Sequence, residues 1–184
     1  QASERLRVEP SRVVPRGRLG LSGKLLLLTI PLVMIAEVLI YVPAIANFRM
    51  NRLNDRIAAA NTAALVLDAA PSGMVPESLA RQILDSIGAR AVAIKMGQQR
   101  RLLASANLPS AVDHDVDMRE MTAWDAIVGA FETMLESGNE TIRVIGPAPN
   151  GAQFIEVVID EKPLRRAMYR FSGNLLLFSF GIAI

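Results

Sequence analysis

The sequence predicts an α+β domain with an antiparallel sheet and long helices, held between two transmembrane helices. The first observation is an apolar run over residues 25–48, in which Glu37 is the only charged residue. The second is another apolar run, residues 172–184, with which the chain closes. The third is the intervening stretch 49–171, where two strand hairpins alternate with helical patterns, an order typical of α+β domains.

The first apolar run is long enough to cross a membrane. At about 1.5 Å per residue, a helix over residues 25–48 would measure about 36 Å, and the hydrocarbon core of a bilayer is about 30 Å thick. A soluble helix rarely stays apolar on all faces over such a length. A cleaved signal peptide, with Ala44 to Ala46 as its cleavage site, is the alternative. We prefer a transmembrane helix because signal peptides have apolar segments of about 7–15 residues.

Glu37 lies near the middle of this predicted span. A carboxylate inside a membrane is costly, which makes a functional role the default hypothesis. We expect it to be protonated, to pair across a helix dimer, or to be a tolerated polar residue that packs against the second span. The sequence leaves these alternatives open.

The second apolar run is too short to cross a bilayer. As a helix, residues 173–184 would cover only about 18 Å. The first residue is Gln1 and not Met. We therefore expect a fragment of a longer protein, with the start of a truncated second transmembrane helix at residues 172–184.

Residues 1–24 are predicted to form a disordered cytoplasmic tail. They carry two glutamates and these basic residues: Arg5, Arg7, Arg12, Arg16, Arg18 and Lys24. Positive charge next to a span marks its cytoplasmic side, so the central domain is predicted to be extracytoplasmic. No stripe of basic and aromatic residues suggests a nucleic-acid partner. The chain has no cysteine, which excludes disulfides, thiol nucleophiles and thiolate zinc sites in this sequence.

The first helix is predicted to continue into the domain with an apolar seam. Its members repeat at spacings of three and four: Met50, Leu53, Ile57, Ala60, Ala64 and Leu67. Such a seam is typical of a signalling helix in a dimer, and it is also typical of a helix that packs on the sheet of its own domain. The small residue Ala60 beside Ile57 led us to prefer the dimer contact.

The remaining elements of the domain follow in order. We predict a helix over 77–87, with Leu79, Ile83 and Ile87 on its inner face and Gly88 at its end. Strands are predicted at 90–96 and 101–105, then a helix starting near Asp117, then strands at 141–145 and 153–159. A last helix begins near Asp160 and leads into the second apolar run.

Two groups of residues are candidates for binding, and no catalytic constellation is present. Asp113, His114 and Asp115 are predicted either to hold a divalent cation or to act as a pH sensor. The alternative that we preferred is a solvated acidic loop in which Asp117 caps the next helix. A second group could line a ligand pocket between helix and sheet, or could be one core tryptophan and two exposed strand residues: Trp124, Arg143 and Glu156.

The layout resembles the N-terminal half of a proteobacterial membrane sensor histidine kinase of a two-component system. The resemblance rests on residues 20–24 running into the first span, on the helix 48–60 after it, and on 160–166 entering the second run. It covers residues 16–184, and the central domain resembles PAS-like or Cache-like periplasmic sensors. The resemblance is one of architecture and not of a diagnostic motif.

The resemblance implies a function for a larger protein. It implies a location in the bacterial inner membrane among membrane lipid, a homodimer, and a signal from a small ligand or periplasmic protein transmitted by helix movement. ATP, Mg²⁺ and a response regulator are expected only for a kinase portion beyond Ile184, and no cofactor is expected here. The same input module is compatible with a chemoreceptor or a cyclic-nucleotide-producing enzyme, and a non-enzymatic envelope assembly protein is a further alternative.

Overall fold

The computed structural model describes residues 20–69, 76–97, 99–104, 112–138, 140–148 and 151–183. Most of the predicted cytoplasmic tail, residues 1–19, lies outside the described residues. The elements in chain order are α1 (Leu21–Ala69), α2 (Glu77–Ile87), β1 (Ala91–Met96), β2 (Gln99–Ala104), β3 (His114–Asp117), α3 (Ala123–Leu135), β4 (Thr141–Gly146), β5 (Phe154–Asp160) and α4 (Glu161–Ala183).

The chain divides into two compact units, residues 1–37 and residues 38–184. The described part of the first unit is the beginning of α1, up to the half-buried Glu37. Most of its apolar side chains, including a run of leucines, are exposed. Among the residues that the structure describes, one helix, Ser22–Val66, is long and apolar enough to cross a membrane. The chain is thus consistent with membrane association through α1. The predicted second span, 172–184, is helical up to Ala183 as the end of α4.

The second unit is built on a five-stranded sheet with the strand order β2-β1-β5-β4-β3. Its pairs are antiparallel except for β3 and β4, which are parallel. The predicted α+β class is therefore confirmed and the four predicted strands pair antiparallel, but the additional strand β3 makes the sheet mixed. The physical reason is the connection: β3 is followed by α3 and then by β4, and a crossover through a helix returns the chain in the same direction.

One face of the sheet carries the core. Residues on β4 and β5 alternate between buried and half-buried, so that one row of side chains meets the helices. The buried cluster joins this row to α1, α2, α3 and α4; its largest fully buried members are Ile45, Leu53, Leu84, Ile142, Ile155, Met168, Val92, Val144 and Val157. Helix α3 contributes Ala126 and Ala130 to the same cluster. The helices therefore cover this face of the sheet.

The apolar seam of α1 belongs to this core. Leu53, Ile57, Ala60 and Ala64 are each at most 4% exposed, and Met50 is half-buried. The side chain of Leu67 lies outside what the structure describes. In a single chain, α1 therefore packs on the sheet of its own domain, which was the alternative to a dimer contact. Its buried seam residues are not accessible to a second copy.

Helix α2 has the predicted bounds and ends at Gly88, whose φ of 63° is the left-handed conformation that glycine adopts readily. Its buried residues are Ala80, Leu84 and Ile87, whereas the predicted inner residue Leu79 is 43% exposed. Helix α3 begins at Ala123 and not near Asp117. Thr122 and Asp125 form its capping box, so the prediction of Asp117 as the helix cap is wrong.

Helices α1 and α4 contact each other where they leave the domain. The rings of Phe48 and Phe171 stack with their centroids 4.4 Å apart. Further along, the hydroxyl groups of Tyr41 and Ser172 form a hydrogen bond. Because α1 runs into the domain and α4 runs out of it, the two helices are antiparallel neighbours at these contacts.

Candidate functional site

A cavity of about 290 Å³ is lined mainly by α3 and β3, with single residues contributed by α1, β4 and the start of α4. We call it the acidic cavity. Its described lining includes seven carboxylates and one arginine; the carboxylates are Asp115, Asp117, Glu120, Asp125, Glu132, Glu136 and Glu161. The excess of negative charge makes it a site that favours cations.

The arginine of the acidic cavity is Arg49, which α1 contributes. Arg49 is only 4% exposed, and its Nε donates a hydrogen bond of 3.0 Å to Oγ1 of Thr133 on α3. Gly129 leaves room for the guanidinium, since a Cβ at that position would lie 2.9 Å from Nη1 of Arg49. Burial lowers the pKa of Arg49, and the negative charges of Glu161, Glu132 and Glu136 act in the opposite direction. This contact joins α1 to α3.

The most compact group at the cavity is formed by His114, Glu136 and Glu140. Nε2 of His114 lies 3.2 Å from Oε1 of Glu136 and 3.9 Å from Oε2 of Glu140. One ligand atom from each of the three residues lies within 4.8 Å of the other two. His114 is the first residue of β3, and the two glutamates flank the connection from α3 to β4. The parallel pairing, with His114 opposite Ile142, brings these distant segments together.

The negative charges of the two glutamates in this group, Glu136 and Glu140, repel each other. Burial raises the pKa of Glu136, and the nearby carboxylates of Glu161 and Glu140 raise it further, whereas His114 acts against the shift. Proximity of carboxylates in a half-buried site disfavours the presence of several negative charges at once. A bound cation would relieve this repulsion.

Glu161, the first residue of α4, borders the acidic cavity from beneath. It is 2% exposed, and its backbone N–H donates a 3.0 Å hydrogen bond to the carbonyl oxygen of Glu140. Within the described part of the chain, its Oε2 accepts no hydrogen bond. The nearest cation is Nη2 of Arg165 at 3.5 Å, beyond a good hydrogen-bond length. That same Nη2 donates to the carbonyl oxygen of Gly138.

Of the predicted cation ligands, His114 is in the compact group and its two neighbours are not. The carboxylate of Asp113 accepts a hydrogen bond from the backbone N–H of Thr141. Asp115 is paired with Arg143, at 3.5 Å, and successive strand residues point to opposite faces. His114 to Asp117 form a strand and not the expected loop. The two glutamates Glu136 and Glu140 were not predicted, because they lie beyond the end of α3 and meet His114 only through the β3–β4 pairing.

The predicted ligand pocket is only partly assembled. Arg143 and Glu156 line one cavity of about 400 Å³ on the sheet face away from the helices, together with apolar residues such as Leu102 and Val158. Trp124 does not join them, because it lies on α3, on the other side of the sheet, and is 70% exposed.

No family model, curated protein or solved structure matches this chain. The function is therefore inferred from the residues and their geometry.

Proposed function

We propose that the chain is the extracytoplasmic signal-sensing input region of a membrane sensor histidine kinase. In this role a ligand or envelope signal binds the domain, and helix movement carries the signal to a cytoplasmic kinase portion. A homodimer in the bacterial inner membrane is the working assembly of this proposal. The enzymatic output belongs to the part of the protein beyond Ile184.

The observation that carries the proposal is the contact between α1 and α4 at the point where both leave the domain. The Phe48–Phe171 stack and the Tyr41–Ser172 hydrogen bond join the two apolar segments that flank the domain. A polar pair of this kind is what adjacent membrane helices use, since hydroxyl groups in hydrocarbon need a partner. A domain inserted between neighbouring antiparallel helices is suited to act on their relative position.

The acidic cavity supplies a second argument for a sensory role. It is lined by Arg49 of α1 and by Glu161 of α4, so an occupant would interact with both helices. A ligand shifts a conformational equilibrium only by binding one arrangement better than the other. Helix displacements of about 1–2 Å are a common form of such a change. A site that touches both helices has the position that this mechanism requires.

Membrane topology tests the proposal. A periplasm-dependent reporter fused after Gly97, a turn residue between β1 and β2, should be active, because the domain is expected outside the cytoplasm. The matched fusion at Pro10 in the basic tail should be silent, and a cytoplasm-dependent reporter should give the opposite pattern. Activity of the periplasmic reporter at Pro10, or its silence at Gly97, would contradict the proposal.

A further inference from the structure

We propose that His114, Glu136 and Glu140 bind a divalent transition-metal cation, with Glu161 as an additional carboxylate facing the same cavity. An imidazole nitrogen combined with carboxylate oxygens suits Zn²⁺ and similar metals better than Mg²⁺ or Ca²⁺, which prefer oxygen ligands alone. In the proposed sensor, this ion would be the signal that the domain detects. That part of the inference rests on the proposed function.

The geometry of the three side chains carries the first step. Their candidate ligand atoms lie within 4.8 Å of one another, and Nε2 of His114 is 3.2 Å from Oε1 of Glu136. Zinc ligands at about 2.0–2.2 Å from the ion lie roughly 3.3–3.6 Å apart in a tetrahedral arrangement. Small rotations of the glutamate side chains would bring the three candidate ligand atoms to this spacing. His114 has 56% of its side chain exposed, which gives an ion a route from solvent.

Glu161 is the independent second observation. Its side chain is 3% exposed and its Oε2 lies 3.5 Å from Nη2 of Arg165, yet in the described part of the molecule this oxygen accepts no hydrogen bond. Burying a charged oxygen without a hydrogen-bond donor is costly, so such an atom needs an explanation. An ion in the acidic cavity would compensate this carboxylate. The candidate ligands come from β3, from both ends of the α3–β4 connection and from α4, so binding would join elements that are distant in the sequence.

A thermal-denaturation experiment on the full chain in lipid nanodiscs tests the site. At a Zn²⁺ concentration of 100 times Kd, Tm should rise by about 5–10 °C, and equilibrium dialysis should find one ion per chain. His114→Ala should reduce the rise to about 1 °C or less, and Glu140→Gln should weaken Zn²⁺ binding at least about tenfold. Both side chains are partly exposed, so these variants are expected to fold.

The matched control is Glu120→Gln, which removes one negative charge from the same cavity outside the compact group and should keep the full Zn²⁺ response. Retention of the rise in Tm by His114→Ala would overturn the proposal, as would its loss in Glu120→Gln. An equal response to Mg²⁺ would also overturn it, because it would indicate a diffuse acidic surface. Dialysis and Tm measure Zn²⁺ binding directly, whereas the reporter fusions measure membrane topology. A failure of the metal site can therefore be told apart from a failure of the proposed function.

Discussion

At the scale of single residues, a close approach of α1 to the sheet depends on Gly146. A Cβ at this position would lie 2.4 Å from Cδ1 of Ile57, so only glycine allows α1 to approach β4 as it does. The contact lies in the core, since both residues are buried. This approach sets where the seam of α1 packs.

We expect Gly146→Ala to lower the free energy of unfolding by roughly 1–3 kcal/mol, because the added methyl group overpacks the core. The double variant Gly146→Ala with Ile57→Val should be less destabilised than the two single effects predict, since Val lacks the Cδ1 atom. Urea denaturation of the four proteins in the cycle measures this. Gly173→Ala, where a Cβ meets nothing within 4 Å, is the control. A Gly146→Ala variant as stable as the native chain would contradict the contact.

Sequence patterns predicted the candidate site at this scale only in part. His114 was identified because it is the only histidine and lies among carboxylates. Its neighbours in the sequence have other partners, since Asp113 accepts a hydrogen bond from Thr141 and Asp115 is paired with Arg143. Glu140 and Glu161 join His114 only through the β3–β4 pairing and the start of α4. Such tertiary proximity leaves no local pattern in the sequence.

At the scale of elements, the buried pair of Arg49 and Thr133 is the polar link between α1 and α3. The Arg49 guanidinium is buried beside several glutamates, and Thr133 is only 1% exposed. A buried charged donor that loses its acceptor keeps the desolvation cost without the hydrogen bond. The link therefore orders the helices around the acidic cavity.

Thr133→Val replaces the hydroxyl group with a methyl group of similar shape and leaves Nε of Arg49 without this acceptor. We expect a loss of roughly 1.5–3 kcal/mol in the free energy of unfolding, as for hydrogen bonds to charged groups. Thr62→Val is the control, because that exposed threonine bonds only to the carbonyl oxygen of Ala58 in its own helix. Equal stability of Thr133→Val and the control in chemical denaturation would show that the link contributes nothing.

Most elements follow from local signals, and the exception has a physical reason. Helix α2 was predicted with its bounds because an apolar face and Gly88 mark it. Four of the five strands were predicted within about two residues because short apolar or alternating runs bounded by turn residues mark them. Strand β3 has only four residues, and two of them are aspartates, which strands disfavour. It is a strand because β4 offers a parallel edge. Missing it made the sheet look antiparallel.

At the scale of the whole chain, the apolar runs are helices, and the seam of α1 is buried within its own domain, whereas the homodimer stays a prediction. A 3-4 repeat shows which side of a helix is apolar but not what covers it. In this chain the sheet of the same domain covers Leu53, Ile57, Ala60 and Ala64. Any dimer contact of α1 must therefore use other residues. The proposed sensing mechanism requires that α1 and α4 leave the domain as neighbours.

Chemical crosslinking in native membranes tests that claim most directly. Because the chain has no cysteine, a pair introduced by Tyr41→Cys and Ser172→Cys reacts alone. The contact is made by the hydroxyl group at the end of the long tyrosine side chain, so two cysteine side chains at these positions are too short to bridge it as a disulfide, and a short bis-maleimide is the suitable reagent. A protease site engineered after Gly97 separates the two helices unless the crosslink joins them.

We expect the cleaved Tyr41→Cys, Ser172→Cys chain to migrate as one piece of monomer size on a denaturing gel. The control pair Leu39→Cys, Ser172→Cys should fall into two fragments, because Leu39 is 68% exposed and turned away from α4. Two fragments from both pairs would contradict the claim that the helices flanking the domain run side by side.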